Sequence, residues 1–295
     1  YTQGVSSAAS VVYKRQDIQL LPYKGLDNFF SDTGAVTIDL DDGTSYTTAL
    51  LVAADGRNSV ARKIAKIKST NIDYRQSSIV FTVRHKNPHK GVAYEQFTPG
   101  GPIASLPMSG NQSSIVWSED SEVVKSLMLL ADEDFADAAS YRLNDCLGKM
   151  VIISARKVFP LSLTYADTII ADRFAMVGDA AHGLHPIAGQ GFNLGLRDIA
   201  NLTEEISNAR RLGLDIGSFE TLRSYQATRR LDNFSLVAAT DGLNRLFSNK
   251  NKFVRSIRSN GLDAVNTINP LKNLFMEIAM GEAGSLPLLL DGRLP

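Results

Sequence analysis

Two segments of this chain carry an uninterrupted apolar strand through a glycine–acid turn into a helix, and they limit the possible folds more than any other feature. Residues 48–65 read TALLVAADGRNSVARKIA, and residues 173–198 read RFAMVGDAAHGLHPIAGQGFNLGLRD. A strand that is apolar at every position, not only at alternate ones, needs cover on both faces. Such strands belong to parallel sheets sandwiched by helices. The expected strands are Leu50–Ala54 and Phe174–Val177. A helix opens at Ser59–Arg62 in the first segment and runs from about Asn193 to Arg210 in the second.

Between these segments the texture changes. SSIVFTVRH, VAYEQFTPGG, PIASLPM and SSIVWSE are short alternating runs separated by Gly, Pro and Asn, the pattern of an antiparallel sheet. Residues 121–147 have helical periodicity, with an Asp/Glu-rich middle read as a break between two helices, and MVIISARKVFPLSL returns to strand. Upstream, ASVVYK (9–14) and AVTIDL (35–40) read as strands, with DDG (41–43) as a hairpin turn. Residues 218–281 are mostly amphipathic helix. The expected fold class is α/β (α+β). A parallel-sheet domain is made of residues 1–72 and 166–295, the latter including the C-terminal helices, and an antiparallel-sheet domain, 73–165, is inserted between them.

Composition serves to exclude. Lys plus Arg equals Asp plus Glu, at 31 each, so there is no overall basic field for nucleic acid. The single cysteine, Cys146, makes neither an internal disulfide nor a Cys-based zinc site, and reads as a small packing residue. No uncharged apolar run has the length of a bilayer span. His182 and His185 stand three apart with only Asp179 near them, so no metal site is expected. The first residue is Tyr1 and nothing like a signal peptide follows, so the chain is expected to begin partway through a longer protein.

The chemistry concentrates in the two turns. Gly178 and Asp179 fall at the carboxyl edge of a sheet, where ligands of open α/β sheets bind, and an aspartate there is a good acceptor for ribose or ribityl hydroxyls. Gly189 and Gly191 precede a helix, whose free N–H groups suit an electron-rich acceptor. Asp55, beside Gly56, either caps the next helix or faces the ligand. Arg62 is unfavourable near a helix start and is expected to reach a pyrophosphate or an acidic partner. A Gly-x-Gly-x-x-Gly run is absent; GQGFNLG spaces its glycines by two and then four.

Taken together, LLVAADGRNSVAR resembles the second fingerprint of class A flavoprotein aromatic hydroxylases. RFAMVGDAAHGLHPIAGQGFNLGLRDIANL resembles their third, in the form found in ubiquinone-biosynthesis hydroxylases. EQFTPGGPIASLPM, SSIVW, FPLSLTYADTIIADRF and LKNLFMEIAMGEAGSLP agree with that branch. The family's first βαβ unit, which holds the ADP part of FAD, has no counterpart. The resemblance implies an FAD-dependent monooxygenase that hydroxylates the ring of a polyprenylated phenol, with NAD(P)H as donor, O₂ as co-substrate and a flavin C4a-hydroperoxide as oxidant.

By the same resemblance, Gly178 and Asp179 serve the ribityl or phosphate region, and backbone from Pro186 through Gly189, Gln190 and Gly191 lines the isoalloxazine ring, with Asn193 beside it. Asp55, Gly56 and Arg62 lie near the pyrophosphate, the first two being linked also to NAD(P)H use. His182 is a candidate base or a packing residue at the flavin side. Phe97, Pro99 and Trp117 are candidate walls of the substrate pocket, or plain core. Lys250, Lys252, Arg255 and Arg258 form either a lipid-facing patch or a solvated helix face. A cytoplasmic enzyme peripheral to a bacterial inner membrane, or one on the mitochondrial matrix side, is implied, in contact with other ubiquinone-biosynthesis proteins. Without the ADP-binding unit, weak or absent FAD binding and a dimer through the exposed sheet edge are expected. The alternatives are a hydroxylase of a small soluble aromatic, and a catalytically silent interaction module.

Overall fold

The structure, a computed structural model, describes residues 18–184, 190–248, 265, 267–270, 272–273, 276 and 286–295. The strand expected at 9–14, the loop residues His185, Pro186 and Gly189, and the basic segment at 250–258 lie outside the described residues.

A small antiparallel sheet comes first, with β1 (Leu26–Ser31), β2 (Val36–Leu40) and β3 (Ser45–Thr48). The DDG turn joins β2 to β3, and Gly43 takes the left-handed conformation (φ 81°) that closes it. The chain then enters β4 (Leu51–Ala53) and the short helix α1 (Val60–Ile64).

The next strand, β5 (Ser69–His85), is long and starts a sheet of seven with β6 (Tyr94–Thr98), β7 (Gly101–Pro107) and β8 (Gln112–Asp120). Helices α2 (Ser121–Met128) and α3 (Asp132–Arg142) follow, then β9 (Met150–Ile152) and β10 (Lys157–Ala166). The helix break falls at Leu129–Ala131, before the acidic stretch. Asp132, Glu133 and Asp134 instead form the first turn of α3, where the helix dipole favours carboxylates.

The chain then makes β11 (Ile170–Ala171), β12 (Phe174–Met176), a 3₁₀ turn at Gly178–Ala180 and β13 (His182–Gly183), and ends its described core with α4 (Gln190–Arg211) and α5 (Phe219–Ser248). β12 pairs parallel with β4, Phe174 opposite Leu51 and Met176 opposite Ala53. The larger sheet lies between these two neighbours in sequence and is therefore an insertion. Its order is β13-β10-β5-β8-β7-β6, with β9 on β5, so β13 returns from the parallel domain to extend the inserted sheet.

The β4–β12 sheet and the large sheet each have a core, and Leu26 and Phe29 of β1 pack against the first of these. Phe174, Ala175 and Met176 pack with Leu202, Leu222 and Tyr225 of the helices, and the Tyr225 hydroxyl donates to the Met176 carbonyl at 2.8 Å. Val52 is 41% exposed, so the second face of β4, expected to be covered, is open among the described residues. In the large sheet, Ile79, Phe81, Ile103, Ile115 and Trp117 bury one face against Val124 and Phe135 of α2 and α3. Period-two alternation turns Ser78, Val80 and Val116 to the other face, towards the glycine–acid turns. No helix among the described residues is long and apolar enough to cross a membrane.

Candidate functional site

Both glycine–acid turns end parallel strands at the same edge, because β4 and β12 are neighbours in register. In the first turn, Gly56 (φ 81°) reverses the chain and the Asp55 carboxylate accepts from the backbone N–H groups of Val60 at 2.7 Å and Ala61 at 3.1 Å. Ser59 caps the same helix by accepting from the Arg62 N–H at 2.9 Å. Asp55 is thus a capping residue in geometry, with one carboxylate oxygen, Oδ2, engaged with the helix start.

Arg62 departs from expectation. Its guanidinium donates to the Ala180 carbonyl at 2.7 Å and to the Arg57 carbonyl at 2.9 Å, and the residue is 5% exposed. It ties one turn to the other and does not point at a ligand. These carbonyls offset the poor electrostatics of a cation near a helix N-terminus.

In the second turn, Gly178 takes φ 60° and touches α4, since a side chain on Gly195 would place its Cβ 3.4 Å from the Gly178 Cα. The Asp179 side chain is 43% exposed and makes a long contact, 3.4 Å, with the Arg57 guanidinium. Asp179 lies at the start of α4: a Cβ on Gly191 would sit 4.0 Å from its Oδ1. No acidic residue falls within the first turn of α4, and Asp179 is the carboxylate beside that helix start. Asn193 is exposed on the same helix.

Arg57 is the site residue that the sequence did not disclose. It donates to the Ser162 carbonyl at 2.9 Å and the Leu184 carbonyl at 2.9 Å, bridging the parallel domain to β10 and to the chain beyond β13. With Asp179 and Leu184 it bounds a cavity of about 480 Å³, whose opposite wall is Ser78, Val80, Val116, Phe159, Pro160 and Leu161 of the inserted sheet. Its position, next to Gly56, made it look like a turn residue; only the tertiary fold aims it into the cleft. Ser78 is the one hydroxyl-bearing side chain among the described residues of that lining and is hydrogen-bonded to Ser118 at 2.6 Å.

The expected pocket walls fall elsewhere. Trp117 is 2% exposed and faces the α2–α3 core, 5.6 Å from the Phe135 ring; its neighbour Val116 lines the cavity instead, because successive strand residues face opposite ways. Pro99 is exposed in the β6–β7 turn. Phe97 shares the cavity's face by register but stands on the far edge strand, β6.

His182 is 1% exposed and its Nε2 donates to Asp198 at 2.6 Å. The same carboxylate accepts from the Gly178 N–H at 2.9 Å and from Arg229 Nε at 2.8 Å. Burial pushes the Asp198 carboxyl up, but hydrogen bonds and charge from His182 and Arg229 more than cancel this, so it stays below the ordinary carboxylate range. His182 is therefore an internal hydrogen-bond donor. No group of three or more metal-ligating side chains exists among the described residues.

An acidic acceptor at a glycine turn, the start of α4 beside it and an apolar sheet face opposite fit a flavin's ribityl chain and ring. A parallel-sheet domain with an inserted antiparallel sheet and this cleft between them defines a two-domain, cofactor-binding α/β protein. The chain belongs to the FAD binding domain family, whose pattern residues 24–238 match. It is similar to ubiquinone hydroxylase UbiL of Rhodospirillum rubrum, at 46% identity over 85% of this chain and 58% of that protein. It is also similar to the human mitochondrial ubiquinone biosynthesis monooxygenase COQ6, at 34% identity over 94% of this chain and 66% of that protein. The chain thus spans about six tenths of the length of these relatives. Among solved structures, p-nitrophenol 4-monooxygenase PnpA of Pseudomonas putida superposes with a TM-score of 0.75 at 16% identity, covering 94% of this chain and 71% of that one. PqsL of Pseudomonas aeruginosa in complex with 2-aminobenzoylacetate gives 0.68 at 23% identity, over 80% and 66%. At those identities the two structures establish the shared fold.

Proposed function

We propose that the protein is an FAD-dependent monooxygenase that hydroxylates the aromatic ring of a polyprenylated phenol in ubiquinone biosynthesis, with NAD(P)H as electron donor and O₂ as co-substrate. The observation that carries this is the cavity bounded by Arg57 and by Asp179, which stands beside the start of α4, with a largely apolar sheet as its far wall. The relatives named for ubiquinone hydroxylation support the substrate class.

Bound FAD supplies the redox and oxygen-activating chemistry. The chain's residues bind, orient and exclude water. Asp179 accepts from ribityl hydroxyls, and the α4 amides with Arg57 offer positive potential to negative charge on the ring system. Val80, Val116, Phe159, Leu161 and Leu184 receive an apolar aromatic substrate and keep water out. The Ser78–Ser118 hydroxyl pair is the polar group on that wall, suited to a ring hydroxyl. So apolar a substrate is drawn from a membrane surface or a carrier, which fits peripheral attachment to a membrane and contact with other enzymes of the route; a homodimer belongs to the same proposal.

The test is the protein purified at the full length its gene encodes. Stoichiometric FAD in the visible spectrum, NAD(P)H oxidation stimulated by a prenylated phenol, and a product heavier by one oxygen atom are expected. Stimulation only by small soluble phenols would reject the substrate class, and protein that takes up no FAD would reject the enzyme.

A further inference from the structure

We infer that Asp198 is a positioning residue for the flavin-facing turn, holding Gly178 and Asp179 against α4 without touching the cofactor itself. This rests on the cavity being the flavin site.

Asp198 is 0% exposed, yet its carboxylate meets donors from three other elements: the Gly178 N–H of the turn, Nε2 of His182 on β13 and Nε of Arg229 on α5. Gly191, Gly195 and Asp198 are spaced four and three apart on α4, so they share one helix face. That face meets the turn at successive levels: Gly191 beside Asp179, Gly195 against the Gly178 Cα, and Asp198 on the Gly178 N–H. The turn is therefore gripped at its backbone, and the position of Asp179 relative to the helix start follows from the grip.

The charges close on themselves. Arg229 is 1% exposed and spends its other nitrogens on Asp232 at 2.7 Å and Asn233 at 2.9 Å, so the buried carboxylate has a fixed counter-charge. Because Asp198 accepts, His182 carries a proton on Nε2, and its Nδ1 is buried with no hydrogen-bond partner among the described residues. A ring buried with one nitrogen unserved is kept for the bond its other nitrogen makes. Without an acceptor at Asp198 the Gly178 N–H loses its partner, and the turn, with Gly178 at φ 60°, is free to relax.

The experiment measures FAD affinity by fluorescence quenching and records the visible band of the bound flavin. Asp198→Leu removes the acceptor but alone would strand the buried Arg229 charge, so it is paired with Arg229→Met to remove both charges together. His182→Leu and His182→Gln form a second set, the glutamine retaining an N–H donor towards Asp198. The expected result is FAD affinity weakened about tenfold or more in Asp198→Leu/Arg229→Met and in His182→Leu, with a shifted flavin band, and recovered to within about threefold in His182→Gln. Equal losses in His182→Leu and His182→Gln, or wild-type affinity and band shape in a folded double variant, would overturn the inference. Wild-type protein that binds no FAD removes the flavin site itself, an outcome seen before any variant is made.

Discussion

Adding one methyl group at Gly183 should disable Arg57 from a distance. A Cβ built on Gly183 lies 2.6 Å from Arg57 Nε, 3.1 Å from Cγ and 3.3 Å from Cδ. Comfortable carbon contacts need about 3.5–4.0 Å, so the arginine side chain must retreat by about 1 Å. It is free to do so, because the atoms in conflict belong to a flexible side chain, but the retreat breaks the bonds to the Ser162 and Leu184 carbonyls, both 2.9 Å long. Hydrogen bonds from a charged donor contribute about 1.5–3 kcal/mol each when buried. The Arg57 side chain is 26% exposed and water recovers part of that, leaving a net loss of about 1–2 kcal/mol. At roughly 2 cal/mol/K of unfolding entropy per residue, a chain of this size should lose about 1.5–3 °C of melting temperature. The thermal melts of Gly183→Ala, Arg57→Ala and the double variant form a cycle. In the Arg57→Ala background the three atoms nearest the added methyl are gone, and its cost should fall to within about 0.5 kcal/mol of zero. FAD affinity should fall together in both single variants, since both remove the same cation from the cavity. A Gly183→Ala penalty of equal size in both backgrounds would refute the reasoning, for it would mean that the methyl clashes with backbone.

Three further outcomes follow from the same geometry. Asp55→Ala removes the acceptor for the Val60 and Ala61 N–H groups and should cost about 1 kcal/mol in a urea titration, with Asp55→Asn intermediate. Trp117→Leu should cost about 2–4 kcal/mol of stability while leaving FAD affinity and phenol binding unchanged, because the ring lies in the α2–α3 core; a selective loss of phenol binding would return Trp117 to the pocket. Acid should destabilise the fold through Asp198, held low by His182 and Arg229 against the upward push of burial, and through Asp215, held low by the Arg173 side chain and the Gly217 N–H. Folded values below the unfolded one, about 3.9, mean that this stability is fully present above about pH 4 and is lost as pH falls through the folded values. Denaturant midpoints measured from pH 6 downward should therefore drop below about pH 4, and the drop should be shallower in Asp198→Leu/Arg229→Met.

What the sequence disclosed, and what it withheld, divides along the range of the forces concerned. Strand-to-helix turns are local: Phe174–Met176, Gly178 and the opening of α4 follow from neighbours in the chain, and so were legible. The insertion was legible too, because alternating strands between two apolar ones leave few topologies. Side-chain direction on a strand is also local, yet its meaning depends on what covers each face. Trp117 and Val116 were equally eligible as pocket walls until α2 and α3 took one face. Cations posed the harder problem. Arg57 and Arg62 are both on the first turn segment, and sequence logic marked Arg62 because a cation there offends the helix dipole. The fold resolves that offence internally, with two backbone carbonyls. It sends Arg57, whose place beside Gly56 raised no such alarm, across to Ser162, 105 residues away, and Leu184, 127 residues away. Asp198 was hidden for the same reason: within α4 it is one polar residue among many, and only β13, α5 and the Gly178 turn, arriving from three directions, make it the acceptor that holds the candidate site together.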